Sequence, residues 1–535
     1  MPARYYATRF WLSLSLSFLL MTPYLQRYNS GFNRFVFHWN RYDLLALLFS
    51  VVLLGALHFL CFVMFYVRGK ALSKKISSLI FILIVELVIF SNLAHLINKI
   101  LIEIFPITTK AYWMIILYYR YPLWAFLIAI FAYAIFKNIA KIKKWGLTLC
   151  FIASPILPLF FLNGLRYDSI IPDVGSRCSA VEHHDAARGM DRNVYLFIFD
   201  EWSYQRSFRE RELLSEMTNL NNFHRCAFVF HQAFSPSRDT FSSIPSILFQ
   251  TDRNFKYLHG RMGFNGRDFQ PPDPKESIFH YPGTLGFYTG IVGCYVPYGN
   301  LLKGTVDFGE STSDFKLLGE GFLDVAAYHL SEGLLMFLKP FLEDVYSKVN
   351  AYLYNQFHVK LIQDTHGLCK MIIQEQSRPT FAVFHYMIPH FPFIFDRNGH
   401  KDLFASYECN QENYRGNLIY LDRIIGEIME ALKKAGKFDS ALIIMTSDHS
   451  WRNDPLLTNT TPVMEQCHVP LFIKMPFQNR PVEIDTKFEI FHLGNFINRY
   501  LDTHFDLQEA EQLFREENSF KPRSREEETT TEPGK

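Results

Sequence analysis

Five short segments carry residue types that could build a metal-assisted ester site. The apolar run Val194–Phe199 ends in Asp200 and Glu201, and a second, Ala441–Thr446, leads into Ser447, Asp448 and His449. Between them lies Asp239-Thr240-Phe241-Ser242-Ser243-Ile244-Pro245, with a hydroxyl nucleophile candidate at Thr240. His385 lies in a third apolar run, His390 follows it, and His468 precedes a further run. Carboxylate and imidazole suit Zn²⁺ or another divalent ion, with Mn, Mg or Ca as alternatives. A cation beside Thr240 would lower the pKa of its hydroxyl and neutralise a phosphoryl oxygen. Backbone N–H groups at a helix start help to bind an anion. Ser243–Leu248 fits a helix beginning at this turn, and Arg238 stands beside it as an anion partner. Taken singly, each Asp or His reads more easily as a cap or a satisfied core residue, and Thr240 as a helix cap. Their concentration at strand ends is what points to chemistry.

The elements that must position these residues are legible from the apolar pattern. Val194–Phe199, Phe287–Val292, Phe381–Met387, Ala441–Thr446 and Val469–Lys474 are short and nearly continuously apolar, as strands buried on both faces are. Tyr414–Ala435 is a helix with Leu421, Ile425, Ile428 and Leu432 on one face and Gly436 as its stop. Strands alternating with helices predict an α/β domain with a doubly wound, mostly parallel sheet. Sites in such sheets form beyond the carboxyl ends of the strands.

The 535 residues divide into 1–165, a transmembrane anchor; 166–192, a linker; 193–505, the catalytic domain; and 506–535, a disordered tail. The anchor holds five apolar stretches, roughly Phe10–Leu25, Leu45–Val67, Ile76–Ile97, Pro122–Phe136 and Trp145–Leu165. A spanning helix needs about 20 apolar residues. The Lys-rich loops at Lys70, Lys74 and Lys75 and at Lys137, Lys141, Lys143 and Lys144 mark the cytoplasmic side, against Arg27, Arg34 and Arg41. The expectation is a multi-pass protein of the cytoplasmic (inner) membrane with an extracytoplasmic catalytic domain. Glu86, mid-span, is either a functional contact or a structural hydrogen bond. Lys+Arg 54 against Asp+Glu 52 gives no basic excess, so nucleic acid is not a partner. The cysteines form no CxxC, and those beyond residue 170 read equally as disulfides or as free thiols.

Five segments together resemble the alkaline phosphatase superfamily in its sulfatase-like branch. They are Thr240-x-x-Ser243-x-Pro245, Ser447-Asp448-His449, His385-x4-His390-x-Pro392, Tyr414-x2-Asn417-x4-Asp422 and His468-Val469-Pro470. With the anchor, the pattern is similar to membrane-anchored phosphoethanolamine transferases and lipoteichoic acid synthases. The resemblance implies a principal metal site of Asp200, Thr240, Asp448 and His449, with a covalent phospho-intermediate on Thr240. It implies substrate or second-ion roles for His390, His468 and His385. Those transferases usually place Glu first, whereas here Asp200 precedes Glu201, so either acid is a candidate ligand. Ser450-Trp451-Arg452 stands where a glycine is common. The implied reaction moves a phosphoryl-containing group from a membrane lipid donor to a lipid or glycan acceptor. The alternatives are a sulfatase, a phosphatase or phosphodiesterase, and a non-catalytic scaffold. A sulfatase needs Cys or Ser as its formylglycine precursor, and the segment Pro236-Ser237-Arg238 mimics only part of that pattern.

Overall fold

A computed structural model describes residues 3–28, 43–64, 91–92, 144–145, 148, 159, 162 and 192–516, with breaks at 254, 259–260, 265–269, 313–320, 340–341, 405–409, 458–460 and 504. The chain forms two compact units. One gathers the N-terminal helices with the segment Leu318–Val349, and the other holds 171–317 and 350–535 apart from that segment.

The larger unit is built on an eight-stranded sheet. Its strands are β1 (Val194–Phe199), β2 (Phe228–Phe230), β3 (Tyr288–Cys294), β4 (Phe308–Thr312), β5 (Thr380–Tyr386), β6 (Leu442–Ser447), β7 (Leu471–Lys474) and β8 (Val482–Ile484). The spatial order is β8-β2-β7-β6-β1-β5-β3-β4. Only β7 runs against its neighbours, so the sheet is mostly parallel, as expected. In the central strands, Phe199 is in register with Tyr386 of β5 and with Ser447 of β6. Asp200 and Asp448 therefore leave adjacent strands at the same level.

Alternation along β1 divides the core. Val194, Leu196 and Ile198 pack with Ile244 and Leu248 of α3 (Thr240–Leu248), Phe496 of α7 (Leu493–Thr503) and Phe514 of α8 (Leu507–Arg515). Tyr195, Phe197 and Phe199 face Leu421, Ile425 and Ile428 of α6 (Gln411–Lys434) and Ile362 and Ile372 of α5 (Glu343–Glu375). Gly436, just past α6, has φ +67°, the backbone that stops a helix.

Two boundaries differ from expectation. Residues 507–515 are a helix rather than tail, because Asp506 caps it through Gln508 and Glu509 and its Ala510 and Phe514 are buried. The segment 318–349, read as catalytic domain, belongs to the N-terminal unit.

That unit contains α1 (Ala3–Tyr28), α2 (Asp43–Phe62) and α4 (Phe322–Leu338). The first two occupy the first two expected spans. Among the described residues, one helix is long and apolar enough to cross a membrane, over Leu44–Cys61 with mean hydropathy 2.6. The spans at 122–136 and 145–165 lie outside the described residues apart from isolated positions, as does that at 76–97 apart from Ser91 and Asn92. Glu86 and the linker before Arg192 also lie outside. Cys61, Cys226, Cys369 and Cys467 are free thiols.

Candidate active site

The sheet delivers a closed group of acids and imidazoles to one edge. Ligand atoms of Asp200, His385 and Asp448 all lie within 4.8 Å of one another, and all three residues are buried. His449 joins them: its Nε2 is 3.6 Å from Asp200 Oδ1 and 3.5 Å from Asp448 Oδ2. Thr240 Oγ1 lies 3.2 Å from the same Nε2. Four of the expected metal-site residues, Asp200, Thr240, Asp448 and His449, are thus brought together, and His385 is added to them.

Each side chain is held from behind. Asp239 caps α3 by accepting from Ser242 N at 3.0 Å, so Thr240 is the first helical residue rather than the cap, and α3 starts three residues before the expected Ser243. His449 Nδ1 donates to the Ser450 carbonyl at 2.8 Å, which turns Nε2 toward the carboxylates. Tyr298 OH sits 2.8 Å from His385 Nδ1. At Gly293 a Cβ would come within 2.7 Å of His385 Cβ and 2.8 Å of Tyr298 Cε2, so glycine leaves the room this pair needs. The Ser447 hydroxyl lies between the carbonyls of Phe199 (2.5 Å) and His449 (2.7 Å) and accepts from Trp202 N, tying the ends of β1 and β6 together.

What the site lacks from its own chain defines what it can hold. Both oxygens of Asp200, Oδ2 of Asp448 and Nε2 of His385 are buried with no hydrogen-bond partner. Burying a charged carboxylate without a partner costs several kcal/mol per ion even after relaxation, about as much as a small domain's whole stability. Burial, then the charges of Asp448 and Glu201, push the Asp200 pKa well up. Burial also opposes ionisation of Asp448, but His449 and His385 outweigh it and hold its pKa down. Burial lowers His385 to about 4, so its imidazole is neutral and able to ligate. Two carboxylates and two imidazoles beside a hydroxyl are a donor set suited to a divalent cation.

Glu201 does something else. Its carboxylate accepts from Arg452 Nε at 2.7 Å, and Arg452 Nη2 donates to His390 Nε2 at 3.0 Å. Glu201 is in the left-handed region, φ +63°, a conformation that costs a non-glycine residue about 1–2 kcal/mol. Tyr414 OH sustains it by donating to the Glu201 carbonyl at 2.7 Å and accepting from Ser203 N at 3.0 Å. Tyr414 in turn stacks on Trp451, ring centroids 4.3 Å apart. Asn417, one turn along α6, holds the His390 loop: Nδ2 reaches the carbonyls of Pro389, His390 and Pro392, and Oδ1 accepts from Ile394 and Phe395. Asp422 accepts from Asn219 N and Leu220 N at the start of the short helix Thr218–His224. The Tyr-x2-Asn-x4-Asp pattern is therefore a set of clamps on one helix.

Two expected residues lie differently. Arg238 is exposed at the turn before α3, and Arg452 is the guanidinium that touches the cluster's neighbours. His468 donates Nε2–H to the His231 carbonyl at 2.9 Å and stacks on Tyr204 at 4.0 Å, which occupies it away from the carboxylates. Sequence reasoning missed His358 on α5, whose two ring nitrogens are buried without partners. Burial, then the charge of His390, holds its pKa well below the usual range. Its helical position among apolar neighbours gave no signal.

A mostly parallel sheet that gathers acids and imidazoles beside the hydroxyl of a helix's first residue marks a hydrolase or transferase domain with a candidate metal site. The chain belongs to the sulfatase family, whose model matches residues 192–502, more than half of its length, and so to the alkaline phosphatase superfamily. Enzymes of this family are metal-dependent. No curated protein matches the chain. Among solved structures it is similar to Ps i-CgsB in complex with k-i-k-neocarrahexaose (14% identity, 60% of this chain and 74% of that one, TM-score 0.41). It is also similar to the phosphonate monoester hydrolase of Agrobacterium radiobacter (15%, 58% and 73%, 0.37) and to the lipoteichoic acid synthase LtaP from Listeria monocytogenes (12%, 60% and 75%, 0.36).

Proposed function

We propose that this chain is a membrane-anchored transferase that moves a phosphoryl-containing group from a lipid phosphodiester to a lipid or glycan acceptor outside the cytoplasm. The observation that carries this reading is the placement of Thr240 Oγ1 against His449 Nε2, beside the unpartnered oxygens of Asp200 and Asp448. A divalent cation held by Asp200, Asp448, His449 and His385 would supply charge neutralisation and a lowered pKa at the Thr240 hydroxyl. Thr240 Oγ1 then forms the new bond to phosphorus, and its proton is released. The P–O bond to the diacylglycerol oxygen breaks, and that oxygen takes up a proton. An acceptor hydroxyl reverses the sequence and frees Thr240. Arg452, with a side chain 40% exposed and steadied by its bond to His390 Nε2, is the group available to bind the non-bridging oxygens. Glu201 positions Arg452 rather than ligating the cation. The membrane-length helix Leu44–Cys61 supports a site that works on lipid.

The second reading, sulfuric ester hydrolysis, is favoured by the match to the sulfatase family. It is disfavoured by the nucleophile. The formylglycine of such enzymes is an aldehyde, and the methyl group on Thr240 Cβ prevents oxidation to one. Mass spectrometry after incubating the purified full chain with divalent metal and phosphatidylethanolamine vesicles tests the choice. A phosphoethanolamine adduct on the Thr240 peptide, absent in Thr240→Ala, is expected. No adduct, together with full activity of Thr240→Ala, defeats the covalent mechanism.

A further inference from the structure

Helix α4 is placed by sequence inside the catalytic domain, between β4 and α5, yet none of its residues joins either core of the α/β unit. It packs instead with the N-terminal helices. Ala46 of α2 is buried against Val325 and Ala326, and Phe49 meets Phe322 edge-on at 5.4 Å. Ser50 Oγ reaches the Ala326 carbonyl at 2.7 Å, and Ser91 Oγ reaches the Phe337 carbonyl at 3.0 Å. On the α1 side, Tyr24 OH meets His329 Nδ1 at 2.7 Å, and a Cβ on Gly333 would come within 2.7 Å of Met21 Cε. Small residues at close approaches and hydroxyls bonded across helices are the means by which helices associate in lipid.

The outward face of α4 agrees. Its exposed residues are Leu323, Ala327, Ser331 and Leu338, with no charge among them. A helix facing water carries charged or polar residues there. Leu342 and Val345, just beyond, are exposed too. The helix is about 25 Å long, against a hydrocarbon layer of about 30 Å. It cannot cross, because β4 before it and residues 350–375 after it both belong to the α/β unit.

We propose that Phe322–Leu338 is a re-entrant, lipid-facing helix of the anchor, so that the catalytic domain is tied to the membrane at two points. The proposal rests on the membrane reading given above. A single linker lets a domain swivel, whereas a second attachment raises the effective concentration of the site at the lipid surface.

The test uses the full chain in membranes, with a specific protease sequence inserted between residues 166 and 192. After cleavage, the fragment from residue 193 onward is expected to stay in the pellet through salt and alkaline washes. The same cleavage of a Leu323→Glu, Ala327→Glu, Leu338→Glu variant should release it. Release from the parent overturns the proposal, and so does equal retention of the charged variant. Since that variant could misfold, a photoactivatable lipid probe on the uncut parent provides a second readout. Label within 321–339 is expected, and its absence also overturns the proposal. An uncut protein that does not sediment with membranes defeats the anchor reading itself, whereas a sedimenting protein that releases its fragment defeats this inference alone.

Discussion

Arg452 Nε binds Glu201 Oε1 at 2.7 Å, and this pair separates the roles of two neighbouring acids. Asp200 faces His449 and Asp448, while Glu201 is committed to the guanidinium. Burial opposes ionisation of Glu201, but the charges of His390, His449 and Arg452 outweigh it and hold its pKa down. Glu201→Gln should therefore keep its bound metal, measured by elemental analysis, and lose about 10–100-fold in kcat/KM, the scale of one hydrogen bond to a charged group. Asp448→Asn should lose the metal. Metal loss in Glu201→Gln would make Glu201 a ligand and overturn the assignment.

Metal removal should be visible in stability as well as in activity. The unpartnered oxygens of Asp200 and Asp448 are a burden that a cation relieves. A ligand present at about 100 times its Kd stabilises a fold by about 2.7 kcal/mol. Chelation should lower the Tm of the wild-type protein, and added divalent metal should restore it. In Asp200→Asn, Asp448→Asn the shift should vanish. A Tm indifferent to chelator in a protein first shown to contain metal would place the cation elsewhere.

The sequence made the centre of the sheet legible and its edges obscure. Val194–Phe199 matches β1 residue for residue, and β5 and β6 are each displaced by one, because buried central strands are unbroken apolar runs. The edge strands β4 and β8 went unread: Phe308-Gly309-Glu310-Ser311-Thr312 is half polar, and Val482–Ile484 is three residues long. Asp200, Thr240, Asp448 and His449 were legible because strand ends and a helix start concentrate them. The Glu201–Arg452 contact joins residues 251 apart in the chain, and no local pattern announces it. Arg238 drew attention by lying near Thr240 in sequence, but nearness in sequence does not aim a side chain. The membership of α4 in the N-terminal unit was hidden because it depends on partners about 275 residues away, as Ser50 is from Ala326.

Asn417 offers a test of positioning as distinct from contact with substrate. Its side chain spans carbonyls and amides of the 389–395 loop that carries His390. Asn417→Ala leaves these buried groups unpaired, at about 1–3 kcal/mol each before the loop relaxes. The expected result is a loss of about 2–4 kcal/mol in unfolding free energy, with weaker substrate binding through a displaced His390. Asn417→Asp should recover only part, since a carboxylate can accept from Ile394 N and Phe395 N but cannot donate to the carbonyls. Full stability in Asn417→Ala would show that the loop holds its own conformation.

His468 predicts how acid acts on the fold. Burial lowers its pKa to about 4, from an ordinary value of 6.5. In the unfolded chain it gains a proton near pH 6.5, but in the folded chain only near pH 4. Between those values the unfolded state holds more protons, so stability falls as pH drops through this window and is unaffected by this group above it. The full difference corresponds to roughly 3 kcal/mol as an upper bound, and less with partial solvent screening. Burial is what disfavours the charged ring, since Nε2–H serves the His231 carbonyl in either protonation state. His468→Gln should therefore flatten the slope of unfolding free energy against pH between about 6.5 and 4, measured by denaturant titration at fixed metal concentration. An unchanged slope would show that His468 titrates alike in both states, and acid sensitivity would then belong to other groups, His385 among them.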